Sequence, residues 1–167
     1  IDVIDTIYLD MDGVLCDFEG RYIDLFKEMP GASRDRKEFS NNWTDFVIGE
    51  NFSTLDRWPG AEDLLDAIGV ISKTHNITVK ILTSSGGHKY HDKVKEQKIR
   101  WLCNQGITYE AIVVPGRSKK AAYATPTSIL IDDTVDVIDK FNEEGGIGIL
   151  HKNATNTIKL LLILLNT

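Results

Sequence analysis

The sequence predicts an α/β fold with helices on both faces of a parallel sheet, because short apolar runs alternate with amphipathic stretches along most of its 167 residues. Five apolar runs have the length and composition of buried strands. They are Val3–Leu9, Ile77–Leu82, Ala111–Val114, Ser128–Ile131 and Ile147–Leu150. Strands separated by helices in this way favour a three-layer, doubly wound parallel sheet with right-handed crossovers.

The stretches between these runs carry apolar residues at helical spacing. Helices are expected over Ala61–Lys73, Lys93–Asn104 and Val135–Glu144, and the last of these is followed by two glycines. The apolar run Ile158–Leu165 is far shorter than a membrane-spanning helix requires. We therefore expect it to complete the core, either as a helix or as a strand.

One segment interrupts this alternation. After a helix that is expected to start at Phe18, residues 30–57 are polar and show no rhythm of strands and helices. We expect residues 18–58 to form a small helical cap over one edge of the sheet, within a single domain of 1–167. The aromatic residues of this segment are Phe39, Trp43, Phe46, Phe52 and Trp58. Their rings either pack on one another or stack on a flat substrate.

Composition limits the partners and the compartment. The formal net charge of −6 argues against a general nucleic-acid-binding surface, which needs clustered Lys and Arg. Cys16 and Cys103 have no metal-type spacing and suggest a reducing, cytoplasmic compartment. Cys16 lies near an acidic pair, but no His–Cys arrangement supports nucleophilic thiol chemistry. The first residues show no basic-then-apolar signal pattern, and no membrane contact is expected.

Polar groups follow four of the predicted strands where each strand ends. They are Asp10 and Asp12, Thr83 and Ser84, Lys119 and Lys120, and Asp132 and Asp133. Ligands bind at the carboxyl edge of open α/β sheets, so these groups are expected to meet there. Carboxylate pairs suit Mg²⁺, hydroxyl and backbone N–H groups suit a phosphate, and a lysine offsets negative charge on both. The set predicts phosphoryl transfer with an aspartate as nucleophile.

Each set taken alone has an ordinary structural explanation. Asp133 or Thr134 could cap the following helix, and Thr83 with Ser84 could cap another. The lysines could be solvated surface charges, and the first acidic pair could be solvated loop residues. The ordered combination, with every member at a strand end, favours a common site over these separate explanations.

The same residues resemble a known family. The pattern Asp-x-Asp-Gly-Val, then Thr-Ser after an apolar strand, then Lys, then Ile-Asp-Asp is similar to the four motifs of the haloacid dehalogenase superfamily of phosphohydrolases, and it covers nearly the whole chain. The opening Asp-Met-Asp-Gly-Val-Leu-Cys-Asp-Phe and the short insertion most resemble the 5′(3′)-deoxyribonucleotidases and their phage and bacterial relatives.

This resemblance implies a role for each matching residue. Asp10 would be the nucleophile that forms an aspartyl-phosphate. Asp12 would protonate the leaving alcohol, activate water afterwards, and help to bind Mg²⁺ through its backbone carbonyl. Thr83 and Ser84 would bind the phosphate, Asp10, Asp132 and Asp133 would hold the metal, and Phe18 would stack on a nucleobase.

The basic residues leave two alternatives open. Arg117-Ser118-Lys119 matches the Arg-x-Lys form of the nucleotidases, so Lys119 is preferred over Lys120 for the phosphate. Lys98 resembles a further phosphate-contacting lysine, although an ordinary surface position on a helix is the somewhat favoured explanation for it. Trp43 and Trp58 are the candidate substrate contacts within the cap, which is shorter than that of typical nucleotidases.

The leading hypothesis is a Mg²⁺-dependent phosphomonoesterase that acts on a nucleoside monophosphate. One alternative keeps the chemistry and changes the substrate to another small phosphometabolite or a nucleic-acid 3′-phosphate end. Another is a non-catalytic binding domain of the same fold, which a missing motif residue would favour. None of the motif residues is missing, so an enzyme is expected. The sequence does not predict the oligomeric state.

Overall fold

The computed structural model describes residues 3–32 and 35–166, and within them five parallel strands form one sheet. The strands are β1 (Thr6–Leu9), β2 (Thr78–Ser84), β3 (Glu110–Val114), β4 (Ser128–Asp132) and β5 (Ile147–Leu150). Their order across the sheet is β3-β2-β1-β4-β5. The predicted α/β class and parallel sheet are confirmed, and each predicted strand run overlaps an observed strand.

The same described residues contain six α-helices, the first two of which belong to the segment expected to form the cap. They are α1 (Phe18–Phe26), α2 (Arg36–Ile48), α3 (Ala61–His75), α4 (His91–Asn104), α5 (Val135–Glu143) and α6 (Ala154–Leu164). The apolar run near the end of the chain is therefore helical, one of the two forms expected for it. No helix in residues 3–32 and 35–166 is both long and apolar enough to cross a bilayer.

The core lies on both faces of the sheet because strand side chains alternate in direction. On one face, Ile7, Leu9 and Ile131 pack in a large cluster with apolar residues of α3, α4 and α6. On the other face, Tyr8 and Leu130 pack with residues of α5. This arrangement gives the three layers that the sequence predicts.

The cap segment leaves the sheet and returns to it at neighbouring points. Asp17 N donates to Asp56 O at 2.9 Å, and Trp58 N donates to Leu15 O at 2.9 Å. Between these two hydrogen bonds lie α1, α2 and a short 3-10 helix, Asn51–Thr54. The paired entry and exit bring both ends of the cap segment to the loop that follows β1.

Candidate active site

The parallel register brings the ends of three strands to one edge. Leu9, the last residue of β1, is paired with Ile81 of β2 and with Ile131 of β4. Asp10 directly follows β1 and Asp132 is the last residue of β4, so the two acids lie side by side at this edge. The topology explains why residues more than 100 positions apart in sequence meet at this edge.

A buried lysine joins these two acids. Lys120 Nζ lies 2.9 Å from Asp10 Oδ1 and 2.7 Å from Asp132 Oδ2. Burial lowers the pKa of Lys120, but the two carboxylates outweigh this effect and raise it above its ordinary value. Burial also raises the pKa of Asp10 well above its ordinary range, against the opposing effect of Lys120. One cation is thus shared between two buried acids.

Asp133 adds a third carboxylate to this cluster. Oxygen atoms of Asp10, Asp132 and Asp133 lie within 4.8 Å of one another. Partial burial of its carboxyl group and the neighbouring Asp132 raise the pKa of Asp133 to about 6. Three hard oxygen donors this close together fit the ligand preference of Mg²⁺, and a divalent cation would offset their mutual repulsion.

The loop after β1 is shaped to leave room for Asp133. Gly13 has φ +79°, and a Cβ atom built at this position would collide with the Asp133 carboxyl group. Glycine is therefore required here both by the backbone conformation and by space. The carbonyl oxygen of Met11 accepts the backbone N–H groups of Val14, Leu15 and Cys16, which closes the turn.

The second acid of the loop, Asp12, has different neighbours from Asp10. Its Oδ2 accepts a hydrogen bond from Lys98 Nζ at 3.0 Å, and its Oδ1 accepts one from Cys16 Sγ at 3.4 Å. Burial and the nearby Asp12 raise the pKa of the Cys16 thiol well above its ordinary value. Cys16 therefore remains a protonated thiol, in agreement with the expectation that it is not a nucleophile.

The two hydroxyl residues at the end of β2 occupy different places. Ser84 lines the cavity beside the acids, and its Oγ accepts a hydrogen bond from Gly86 N at 3.0 Å. Thr83 is fully buried behind this wall, and its Oγ1 accepts a hydrogen bond from Lys98 Nζ at 2.7 Å. Ser84 is thus placed to meet a ligand, and Thr83 supports Lys98.

The structure separates the two candidate lysines and brings Lys120, not the preferred Lys119, to the acidic residues. Both lie in a 3-10 helix, Arg117–Tyr123, which turns Lys120 toward the acids and leaves Lys119 exposed. Residues one position apart on a helix face different directions, so only one of the pair can reach the cluster. The sequence pattern alone could not show which of the two lysines faces the acids, because this orientation depends on the 3-10 turn.

A cavity of about 790 Å³ opens from the acidic cluster toward the cap. Its polar lining contains Asp10, Asp12, Ser84, Lys120 and Asp133, and aromatic side chains form a further part of its surface, the aromatic wall. The aromatic residues are Phe18, Phe39, Trp43, Phe52 and Trp58. All the candidate substrate contacts within the cap lie on this wall, whereas Lys98 is not among the residues that line the cavity.

The aromatic wall is held together by ring packing. Phe18 stacks on Phe52 with ring centroids 5.5 Å apart and an interplanar angle of 5°. Trp43 meets Phe18 edge-on at 6.1 Å and lies parallel to Phe46 at 6.4 Å. The rings therefore pack on one another, as one of the two explanations expects, and those of Phe18, Trp43 and Phe52 also line the cavity.

Four polar residues that line the cavity were not among the predicted site residues. Arg117 and Thr134 lie beside predicted motif residues, and the other two are Glu19 and Ser40. Glu19 follows Phe18 in the first turn of α1, and Ser40 lies on α2. Neither belongs to a recognisable motif, and an exposed residue of either type is ordinary on a helix. Their helical phase relative to the neighbouring aromatic residues was the available signal.

Comparisons with known proteins agree with this geometry. The family model described as "5′ nucleotidase, deoxy (Pyrimidine), cytosolic type C protein" matches residues 3–159. Curated protein sequences gave no significant match.

Solved structures resemble the fold at low sequence identity. A haloacid dehalogenase-like hydrolase from Burkholderia xenovorans LB400 has 12% identity and a TM-score of 0.55, over 94% of this chain and 96% of that one. A HAD family enzyme from Bacteroides thetaiotaomicron has 13% identity and the same TM-score of 0.55, over 96% of this chain and 99% of that one. At these identities the likeness concerns the fold.

The family match spans nearly the whole chain, and the fold and the acidic strand ends agree with it. The chain therefore belongs to the 5′ nucleotidase, deoxy (Pyrimidine), cytosolic type C family, and is a phosphoric monoester hydrolase with a haloacid dehalogenase-like fold.

Proposed function

We propose that this enzyme hydrolyses nucleoside monophosphates in a Mg²⁺-dependent reaction that passes through a phosphoryl group on Asp10. The observation that carries the proposal is the position of Lys120, which joins Asp10 to Asp132 beside a cavity that is also lined by aromatic side chains. This arrangement offers a nucleophile and a cation together with a stacking surface for a base.

In the first step, Asp10 attacks the phosphorus atom and the bond to the leaving oxygen breaks. Asp12 gives its proton to that oxygen, and the nucleoside leaves as an alcohol. In the second step, Asp12 takes a proton from water while the water oxygen attacks phosphorus. The bond to Asp10 then breaks, inorganic phosphate is released, and both carboxyl groups return to their starting states.

The remaining polar groups bind the phosphoryl oxygens. Lys120 supplies a fixed positive charge next to Asp10, and Ser84 supplies a hydroxyl group on the adjacent strand. Such preorganised groups stabilise charge where it develops, without reorganisation during the reaction. Thr83 is fully buried and has no direct contact with the phosphate in this proposal, because its hydroxyl oxygen accepts a hydrogen bond from Lys98.

A magnesium ion would be held by Asp10, Asp132 and Asp133, together with the backbone carbonyl of Asp12. When bound, it would neutralise phosphoryl charge and favour the ionised form of Asp10, whose pKa is raised by burial. The three carboxylates fit this role because their oxygens converge within 4.8 Å.

The cavity supports a nucleotide as the substrate. Its volume of about 790 Å³ lies within the ordinary range for sites that bind small organic ligands. Phe18 and Trp43 expose ring surface toward the cavity, where a base can stack. The free cysteines, Cys16 and Cys103, support a cytoplasmic location.

Release of phosphate from a substrate panel tests the proposal. The panel contains nucleoside 5′- and 3′-monophosphates, sugar phosphates, a 3′-phosphorylated oligonucleotide and an aryl phosphate, each assayed with Mg²⁺ and with EDTA. We expect kcat/KM to be highest for nucleoside monophosphates and to be lost in EDTA. A higher kcat/KM for sugar phosphates would show that the substrate is another phosphometabolite. A higher kcat/KM for the oligonucleotide would show that it is a nucleic-acid 3′-phosphate end.

A further inference from the structure

The ammonium group of Lys98 lies behind the cavity wall, and all of its N–H groups donate hydrogen bonds within the protein. Lys98 Nζ donates to Asp12 Oδ2 at 3.0 Å, to Thr83 Oγ1 at 2.7 Å and to Ser84 O at 2.8 Å. An ammonium group has three donors, so these acceptors use all of them. Its side chain is only 1% exposed. A direct bond to phosphate would require it to break one of these contacts.

The two oxygens of Asp12 are held unequally. The ion pair between Lys98 and Oδ2 is short and charge-assisted, whereas the bond from Cys16 Sγ to Oδ1 is 3.4 Å long and comes from a weak donor. The carboxyl group is therefore fixed by one oxygen and loosely held by the other. Since Asp12 lines the cavity, Oδ1 is the oxygen suited to exchange a proton there.

Lys98 is also tied to the cap. The preceding residue, Gln97, donates from Nε2 to Val47 O at 2.8 Å and accepts from Phe52 N at 3.2 Å. The Lys98 ammonium group lies 5.1 Å from the centre of the Phe52 ring, within the range of a cation–π contact. One turn of α4 thus contacts both the cap and the loop that carries Asp12.

We infer that Lys98 is a positioning residue for proton transfer. It holds Oδ2 of Asp12 so that Oδ1 meets the leaving oxygen of a substrate whose organic part lies against the cap. This inference rests on the proposed function, and it replaces the phosphate contact that the sequence suggested for Lys98. Lys98 neither gains nor loses a proton in either step. The proton passes from Asp12 to the leaving oxygen, and a second proton passes from water to Asp12.

Lys98 could position Asp12 for proton transfer or contact the phosphate directly. Substrates whose leaving groups differ in their need for a proton distinguish these two roles. An alkyl leaving group, as in a nucleoside 5′-monophosphate or a sugar phosphate, needs protonation as it departs, whereas 4-nitrophenolate leaves without it. In Lys98→Met we expect kcat/KM for the alkyl substrate to fall by about 100-fold, the lower range for loss of general acid catalysis. For 4-nitrophenyl phosphate the loss should stay below about tenfold, because only the geometry around Asp12 changes.

The ratio of these two kcat/KM values is the decisive quantity. It does not depend on the folded fraction of the variant, because unfolding lowers both values equally. Lys98→Gln keeps a donor at the same position and should shift the ratio less than Lys98→Met does. Lys95→Met, an exposed lysine on the same helix, should leave the ratio unchanged. Inhibition by inorganic phosphate should be the same in wild type and Lys98→Met.

Two results would overturn the inference. Equal losses for both substrates would show that Lys98 serves the phosphoryl group or the fold in general. Weaker inhibition by inorganic phosphate in Lys98→Met would place its charge on the phosphate. Failure of the proposed function is a separate outcome, since wild type would then release no phosphate from either substrate in the presence of Mg²⁺.

Discussion

Lys120 Nζ lies 2.9 Å from Asp10 Oδ1, so the proposed nucleophile is in direct contact with a buried cation. The same ammonium group lies 2.7 Å from Asp132, which makes Lys120 the link between two strands of the sheet. We therefore expect this residue to contribute both to the stability of the fold and to the proposed reaction.

Replacing Lys120 should harm both stability and activity. In Lys120→Met, Asp10 and Asp132 remain buried without their cation, and breaking a buried pair in this way costs about 3–5 kcal/mol. We expect kcat/KM to fall by at least about 100-fold, as on removal of a group that stabilises developing charge. Urea unfolding in EDTA and phosphate release in Mg²⁺ measure the two effects.

The matched control is Lys119→Met, which removes the same charge from the exposed neighbour. It should retain wild-type stability and activity. A larger loss of activity in Lys119→Met than in Lys120→Met would reverse the assignment of the phosphate lysine.

Asp133 should give the metal-free protein a characteristic pH dependence. Its pKa is about 6 in the folded protein and 3.8 in its ordinary state, so between these values the folded state binds more protons than the unfolded state. The contribution of Asp133 to stability is therefore fully present below about pH 3.8 and is lost as the pH rises through about 6.

Asp133→Asn removes this titration. In EDTA, the variant should gain more stability relative to wild type at pH 7.5 than at pH 4.5, because only wild type carries the extra charge at the higher pH. Addition of Mg²⁺ should then raise the melting temperature of wild type more than that of the variant. An unchanged stability difference across this pH range would contradict the assignment.

Gly13 should tolerate no side chain. Gly13→Ala combines a positive φ with a collision against the Asp133 carboxyl group, so we expect lower stability and a weaker response of the melting temperature to Mg²⁺. Gly106→Ala is a matched control, because Gly106 has φ +73° and no atoms within 4 Å of a built Cβ. Strain alone should lower the stability of both variants, and only Gly13→Ala should lose the Mg²⁺ response.

Trp43 should matter for the base and not for the phosphate. Loss of one base–aromatic contact costs about 1–3 kcal/mol, so Trp43→Leu should lower kcat/KM for a nucleoside monophosphate by roughly 10–100-fold. A small alkyl phosphate without a base serves as the control substrate and should be affected much less. Equal losses on both substrates would show that Trp43 supports the fold of the cap and not the binding of a base.

Much of the fold could be predicted because each strand has a clear local signal in the sequence. Asp10 and Asp132 each follow a continuous apolar run, and parallel strands bring such ends together. The helical cap could be placed in outline, since aromatic residues within a polar segment indicate a local cluster. The packing of Phe18 on Phe52 could not be predicted, because it depends on how two cap elements meet.

The roles of individual lysines were the least predictable part of the site. Lys119 and Lys120 have the same charge and neighbouring positions, and only the phase of a 3-10 turn decides which one is buried. Lys98 lies on an amphipathic helix, where a lysine is ordinarily exposed. Its burial follows from three acceptors supplied by distant segments of the chain, which leave no local signal.

The proposed reaction requires Asp10 to carry the phosphoryl group during turnover. Its most direct test is rapid quenching in acid of the reaction with a ³²P-labelled nucleoside monophosphate and Mg²⁺, followed by mass spectrometry of proteolytic peptides. We predict one phosphorylated peptide, containing Asp10 and labile to hydroxylamine, and no label in Asp10→Asn, which should remain folded but inactive. Turnover at the wild-type rate by Asp10→Asn, or a label on another residue, would show that Asp10 is not the nucleophile.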